Sequence, residues 1–194
     1  MIKINIEKLA ERLTQRLFKT QNLTDIEMAK IQYGISLILG VIIEFTLVYA
    51  ISLILGFGFY TVVIMLSAFF LRINTGGAHC STYNRCVTFT AVYFIPFAAL
   101  AKFVDIHFPL EFKVFTSLLL YFIVLAIVKD NKFYRVIILS LVGINIFLFF
   151  VNSILYIKIL FLVSIGFTLQ AVMRTTLGET IVNIADTLFK KAGM

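Results

Sequence analysis

Three long apolar runs, each about forty residues, divide this chain. Residues 33–71 carry one charge, Glu44. Residues 86–128 carry charges only near their middle, at Lys102, Asp105, Glu111 and Lys113, and residues 136–173 carry only Lys158. A helix rises 1.5 Å per residue, so a hydrocarbon core of ~30 Å takes about 20 residues to cross. Each run therefore predicts a helical hairpin that crosses twice. Helices are favoured over strands because an open strand edge leaves its backbone groups unpaired in lipid. The pattern predicts an all-α integral membrane protein with six transmembrane helices arranged as three hairpins. Gly56-Phe57-Gly58, or Ser52, can close the first; Asp105 to Lys113, with Pro109, the second; Asn152-Ser153 the third.

The flanking segments show a different period. Ile2, Ile6, Leu9, Leu13 and Leu17 recur every three or four residues beside Lys and Arg, which predicts an amphipathic helix suited to an anionic membrane surface. Thr24-Asp25-Ile26-Glu27 reads as a capping box, with Leu23 and Met28 placed for a hydrophobic staple. A second helix then starts near Thr24 and runs toward the first span. Leu177, Ile181, Ile184 and Leu188 make a similar stripe at the other end. One membrane-embedded domain, 1–194, results: an amphipathic region 1–32, the three hairpins, a loop 72–85 and a tail 174–194. Residues 1–32 mix charges of both signs and hold no short apolar core with a small-residue cleavage site, unlike a signal peptide.

Composition agrees with immersion in lipid. The chain is 61% hydrophobic and 14% charged, with a mean hydropathy of +1.01; soluble domains hold about 45–50% apolar and about 25% charged residues. The formal charge of +7 raises nucleic acid as a partner, but no basic soluble face exists to carry it. Membrane topology accounts for the charge better. Two crossings return the chain to its starting side, so every segment between runs lies on one face. Those segments hold Lys3, Lys8, Arg12, Arg16, Lys19, Lys30, Arg72, Arg85, Lys129, Lys132, Arg135, Arg174, Lys190 and Lys191, fourteen of the seventeen basic residues. The positive-inside rule places both termini and these loops in the cytoplasm.

The loop between the first two hairpins concentrates the chemistry. It reads Arg72-Ile-Asn-Thr-Gly-Gly-Ala-His79-Cys80-Ser-Thr-Tyr-Asn-Arg85-Cys86, with both cysteines and one of the two histidines. An imidazole can take a thiol's proton and make it a nucleophile, and Arg72 and Arg85 add positive potential favouring thiolate. On a straight helix His79 and Cys86 would share a face yet stand about 10.5 Å apart along the axis, too far for a hydrogen bond. A working dyad requires the chain to bend, and Gly76-Gly77 supplies the backbone freedom. His79 then lies in an irregular segment while Cys86 opens the third span.

Other readings compete. Cys80 is a rival nucleophile. Zinc typically takes four ligands; His79, Cys80 and Cys86 offer three, and His107 falls on the opposite membrane face, so no metal is assigned. Five residues separate the cysteines, a spacing too tight to staple a fold, in a reducing compartment, which points away from a disulfide. Glu44 sits near mid-bilayer, either as a functional carboxyl or as a partner for a polar group such as Asn145 or Gln170. A small transporter or channel subunit with this loop as its gate is the alternative class.

Taken together, Arg72, Gly77, His79 and Cys86, with the chain length, the basic amphipathic N-terminus and the multi-span pattern, resemble the AgrB (accessory gene regulator protein B) family. These are membrane endopeptidases that process quorum-sensing peptide precursors in Gram-positive bacteria. The second cytoplasmic loop departs from the family, since Lys129-Asp130-Asn131-Lys132 is thinner than its usual lysine cluster. The resemblance implies a cysteine endopeptidase without cofactor, with Cys86 as nucleophile and His79 as general base. Arg72, Gly77 and Arg85 would bind substrate or support the dyad. It further implies an AgrD-like autoinducer precursor as substrate, a thiolactone or lactone product, contact with membrane lipids, a cell-membrane location and a homodimer.

Overall fold

The computed structural model describes residues 6–19 and 23–193. Helices account for its regular structure, with no strand among the described residues. In chain order they are α1 (Ile6–Leu17), α2 (Asp25–Ile54), α3 (Gly58–Thr75), α4 (Tyr83–His107), α5 (Leu110–Ile127), α6 (Lys132–Phe150), α7 (Ile154–Val172) and α8 (Thr176–Lys191). Five of them, α2 and α4 to α7, are long and apolar enough to cross a membrane; α3 is a shorter apolar helix. The chain is a multi-pass membrane protein.

The hairpin turns follow from local chemistry. At the end of α2, Gly56 adopts φ 80°, Gly56 N–H donates to the Leu53 carbonyl, and Phe57 N–H donates to the Ser52 carbonyl. This left-handed cap satisfies carbonyls that a helix end leaves orphaned. Ser52 itself stays inside α2, so the turn falls at the glycine pair. Asn152, at φ 56°, repeats the device between α6 and α7, with Ser153 N–H donating to the Leu148 carbonyl. Pro109 precedes α5 at its N-cap, where a missing N–H costs nothing. At the start of α2 the capping box forms in both directions: Glu27 N–H donates to Thr24 Oγ1 at 3.4 Å, and Thr24 N–H to Glu27 Oε2 at 2.9 Å.

Helix α7 is the pillar of the bundle, packed between α3 and α5 and buried along most of its length. One apolar cluster joins Tyr60 and Ile64 of α3 with Ala98 and Ala101 of α4 and Phe161, Leu162 and Leu169 of α7. A second joins Leu71, Tyr121, Val124, Tyr134, Ile138 and Phe167 across α3, α5, α6 and α7. Lipid supplies little hydrophobic force between helices, so hydrogen bonds and close packing set the register. Tyrosine hydroxyls provide several: Tyr121 donates to the Leu160 carbonyl at 2.9 Å, Tyr134 to Phe70 at 3.0 Å and Tyr93 to Leu169 at 3.2 Å.

Helix α1 packs on α2 through Ile6, Ala10 and Thr14, all buried, while Leu9 and Leu17 stay exposed. The face against protein is therefore rotated from the predicted stripe, which is left in part exposed. Ile2 of that stripe lies outside the described residues. On α8, Val182 turns inward and Leu177, Ile184 and Leu188 remain exposed.

Opposite the reactive loop, Asp105 ties four helices together. Its Oδ1 lies 2.9 Å from Lys113 Nζ of α5 and its Oδ2 2.7 Å from Lys158 Nζ of α7; Tyr60 of α3 donates to Oδ2 at 2.6 Å. Lys158 also sits 4.7 Å above the Tyr60 ring. Removing the shared member of a half-buried charge cluster leaves its partners unpaired, which destabilises more than losing a single exposed contact. Asp105→Ala should accordingly lower the detergent melting temperature well beyond Lys102→Ala, whose ammonium donates to the Gly56 carbonyl. Equal melting of the two variants would show that the cluster carries no such weight.

Candidate functional site

The predicted bend is present. Helix α3 ends at Thr75, and the segment 76–82 is irregular before α4 begins at Tyr83. Gly76 takes φ 64° with ψ −151°, and Gly77 takes φ 151°, both in the region that favours glycine. Gly77 is constrained by space as well. A Cβ there would stand 3.1 Å from Gln170 Nε2 and 3.5 Å from the Met173 carbonyl oxygen.

Two helices beyond the loop hold it in place. Ala78 N–H donates to the Met173 carbonyl at 3.1 Å, and Gln170 Nε2 donates to the Gly76 carbonyl at 2.7 Å. Asp186 of α8 grips the middle of the segment, accepting from Ser81 N–H at 3.0 Å, Ser81 Oγ at 2.8 Å and Arg85 Nη1 at 3.3 Å. Those Ser81 hydrogen bonds, followed by Arg85, hold the Asp186 carboxyl below the usual aspartate range.

Within this frame the candidate residues form two groups. In the first, Arg72 places Nη2 3.0 Å from the His79 ring nitrogens and 3.3 Å from the Ala78 carbonyl, with Nη1 3.4 Å from Gln170 Oε1. A guanidinium can only donate, so the ring nitrogen it addresses carries a lone pair. Burial first, and the Arg72 charge second, push the His79 pKa below the ordinary histidine value. The imidazole is thus neutral at physiological pH, the form a general base needs.

In the second group Cys86 lies in the first turn of α4, beside the Cys80 thiol and backbone. Burial, then Cys86 and Asp186, push the Cys80 thiol up to about 12. Among the described residues no hydrogen bond joins His79 to Cys86. The structure therefore brings Arg72, Gly77 and His79 together, sets Cys86 beside Cys80, and pairs Arg85 with Asp186.

Two residues that hold the loop were missing from the sequence reading of it. Gln170 and Asp186 lie far along the chain, and the signal for Gln170 was only an amide within an apolar run. Glu44 was left outside the site, but its carboxyl faces Thr90 and stands within electrostatic reach of Arg72 and Cys86. Neither suggested partner is engaged with it: Asn145 donates to Ser117 Oγ at 2.6 Å, and Gln170 holds the loop. The contact of α2 with α4 explains Glu44's placement. Tyr83 donates to the Gly40 carbonyl, one helical turn before Glu44, and a Cβ at Gly40 would stand 2.9 Å from the Tyr83 ring. His107 lies at the far end of α4, stacked on Phe103. No group of three or more metal-ligating side chains occurs among the described residues.

Comparison with known proteins gives the chain its family. An accessory gene regulator protein B of Staphylococcus intermedius is 32% identical over 119 residues, covering 61% of this chain and 60% of that protein. The protein of the same name from Staphylococcus epidermidis is 30% identical over 103 residues, covering 53% of each. A putative AgrB-like protein of Listeria monocytogenes is 32% identical over 103 residues, 52% of this chain and 48% of that protein. The matched segment thus spans about half to three-fifths of these relatives' length. No solved structure matches the chain. The family profile described as Accessory gene regulator B covers residues 10–174, from α1 through all the apolar helices and the reactive loop to the end of α7, and the chain belongs to that family.

Proposed function

We propose that this protein is a membrane-embedded cysteine endopeptidase of a quorum-sensing system, which removes the C-terminal tail from an autoinducing-peptide precursor. The observation that supports this most directly is the glycine-bent loop, in which a neutral imidazole, His79, is held by Arg72 close in sequence to a thiol in the first turn of a helix. The Cys86 sulfur attacks the carbonyl between peptide core and tail, and its proton passes to His79. His79 then protonates the departing amine as the C–N bond breaks, leaving a thioester on Cys86. A Cys or Ser side chain of the core attacks that thioester, closes the ring and returns the thiol. In the resting state Arg72 occupies the ring, so precursor binding must draw His79 toward the sulfur; such contacts commonly tighten only in the substrate complex.

The basic residues support a cytoplasmic orientation for this loop and both termini. Arg72 gives it positive charge suited to an acidic tail, whereas Arg85 is already paired with Asp186.

The test uses full-length protein in liposomes with synthetic precursors, each an amphipathic leader, a core holding an internal Cys or Ser, and an acidic tail. Mass spectrometry should show tail release. Cys80→Ala should retain most of it, because the family pattern of Arg72, Gly77 and His79 places the nucleophilic thiol at the later position, Cys86. Loss of cleavage in Cys80→Ala, with Cys86→Ala still active, would reverse the assignment of the nucleophile.

A further inference from the structure

Gln170 stands in the last full turn of α7, 2% exposed, on a helix otherwise rich in Leu, Ile, Val and Phe. A buried amide at such a position is costly unless hydrogen-bonded. Its recorded bonds run to the reactive loop and to the arginine that holds it. Nε2 donates to the Gly76 carbonyl at 2.7 Å, and Oε1 accepts from Arg72 Nη1 at 3.4 Å. The Gly76 carbonyl lies outside the helical ladder, and Gln170 is its closer donor, since the Thr75 hydroxyl reaches it only at 3.4 Å. Arg72 needs the acceptor because its other amino group, Nη2, is shared between His79 and the Ala78 carbonyl. Three residues on, the Met173 carbonyl takes the Ala78 N–H, so the end of α7 grips the chain on both sides of Gly77. The absent Cβ of Gly77 leaves room for that approach.

We infer that Gln170 is a positioning residue for the reaction: its amide fixes the Gly76 carbonyl and aims the Arg72 guanidinium at His79, setting where the imidazole rests and how far it must move. This rests on His79 and Cys86 being the reacting pair. A glutamine is suited to the task because one planar group offers a donor to the loop and an acceptor to the guanidinium. Methionine would match its length and offer neither. Glutamate would keep the acceptor and lose the donor.

The experiment measures tail release by full-length wild type, Gln170→Met and Gln170→Glu in liposomes, with the same precursors, together with precursor binding and melting temperature. Gln170→Met should lower kcat by about ten- to a hundredfold, the scale of a misplaced reacting group, with KM and binding within about twofold. Gln170→Glu should lose less than Gln170→Met. With Arg72→Lys the loss should be less than additive, since both changes act through one guanidinium. A purely structural role would instead lower melting temperature and binding together and add to Arg72→Lys. Wild-type kcat in either variant, or additivity, overturns the inference. Should Gln170→Met yield no folded protein, Gln170→Glu decides alone: reduced kcat at unchanged binding supports the role, and full activity removes it. A wild-type protein that releases no tail overturns the endopeptidase reading itself, which separates that failure from this one.

Discussion

Cys86→Ala and His79→Ala should each abolish tail release, and the double variant should be little worse than either. The expectation follows from the two groups sharing one proton. A thiol without its base remains largely protonated, and a base without its thiol has nothing to activate, so the second removal finds nothing left to lose. Losses for such a unit are on the order of 10⁴–10⁶ and far from additive. Cys86→Ala should still bind precursor, because helices and basic face are untouched. The pH profile supplies a second check. With its pKa held below the ordinary histidine value by burial and by Arg72, His79 stays neutral down to a lower pH than a free imidazole. Tail release should persist below about pH 6.5 and fall only as His79 becomes protonated. Weakening the Arg72 contact, as in Arg72→Met, should move that acid limb upward. Normal cleavage by His79→Ala, or additive losses in the double variant, would falsify the pairing.

Much of this architecture follows from hydropathy alone. The lengths of the apolar runs gave the successive helices, although α4 and α5 lie mainly against other helices rather than against each other, and Gly56, Pro109 and Asn152-Ser153 marked the turns because each carries a backbone constraint. The bend at Gly76-Gly77 followed from one distance argument about His79 and Cys86. What hydropathy could not reveal is which helix lies at the centre. Lipid and protein interior are equally apolar, so α7, enclosed by protein, has the same sequence character as α6, which is not. The mounts of the reactive loop were hidden for a related reason. Gln170 and Asp186 meet the loop about a hundred residues away in sequence, and nothing local to either marks the contact. Glu44 was visible as an intramembrane charge. Its neighbours became known only once Gly40 and Tyr83 fixed the approach of α2 to α4.

The closest of these approaches should also be the least tolerant of change. At Gly166, midway along α7, a Cβ would lie 2.1 Å from Ser67 Oγ and 2.3 Å from the Ile64 carbonyl oxygen of α3. The serine can rotate away. The carbonyl cannot, because it belongs to the α3 backbone. Even alanine therefore forces α3 and α7 apart, and overpacking of this kind costs about 1–3 kcal/mol or more. The damage would not stay local. Arg72 rides on α3 and Gln170 on α7, so separating the helices lengthens the contact, already 3.4 Å, on which the loop's arrangement depends. Gly166→Ala should lower both the melting temperature and tail release, and Gly166→Leu should prevent accumulation of folded protein. The control is Gly143→Ala on α6, where a Cβ meets nothing within 4 Å and helix propensity should make the change neutral or stabilising. If Gly166→Ala melts and cleaves like Gly143→Ala, α3 and α7 do not pack as closely as described, and the mount for the reactive loop loses its foundation.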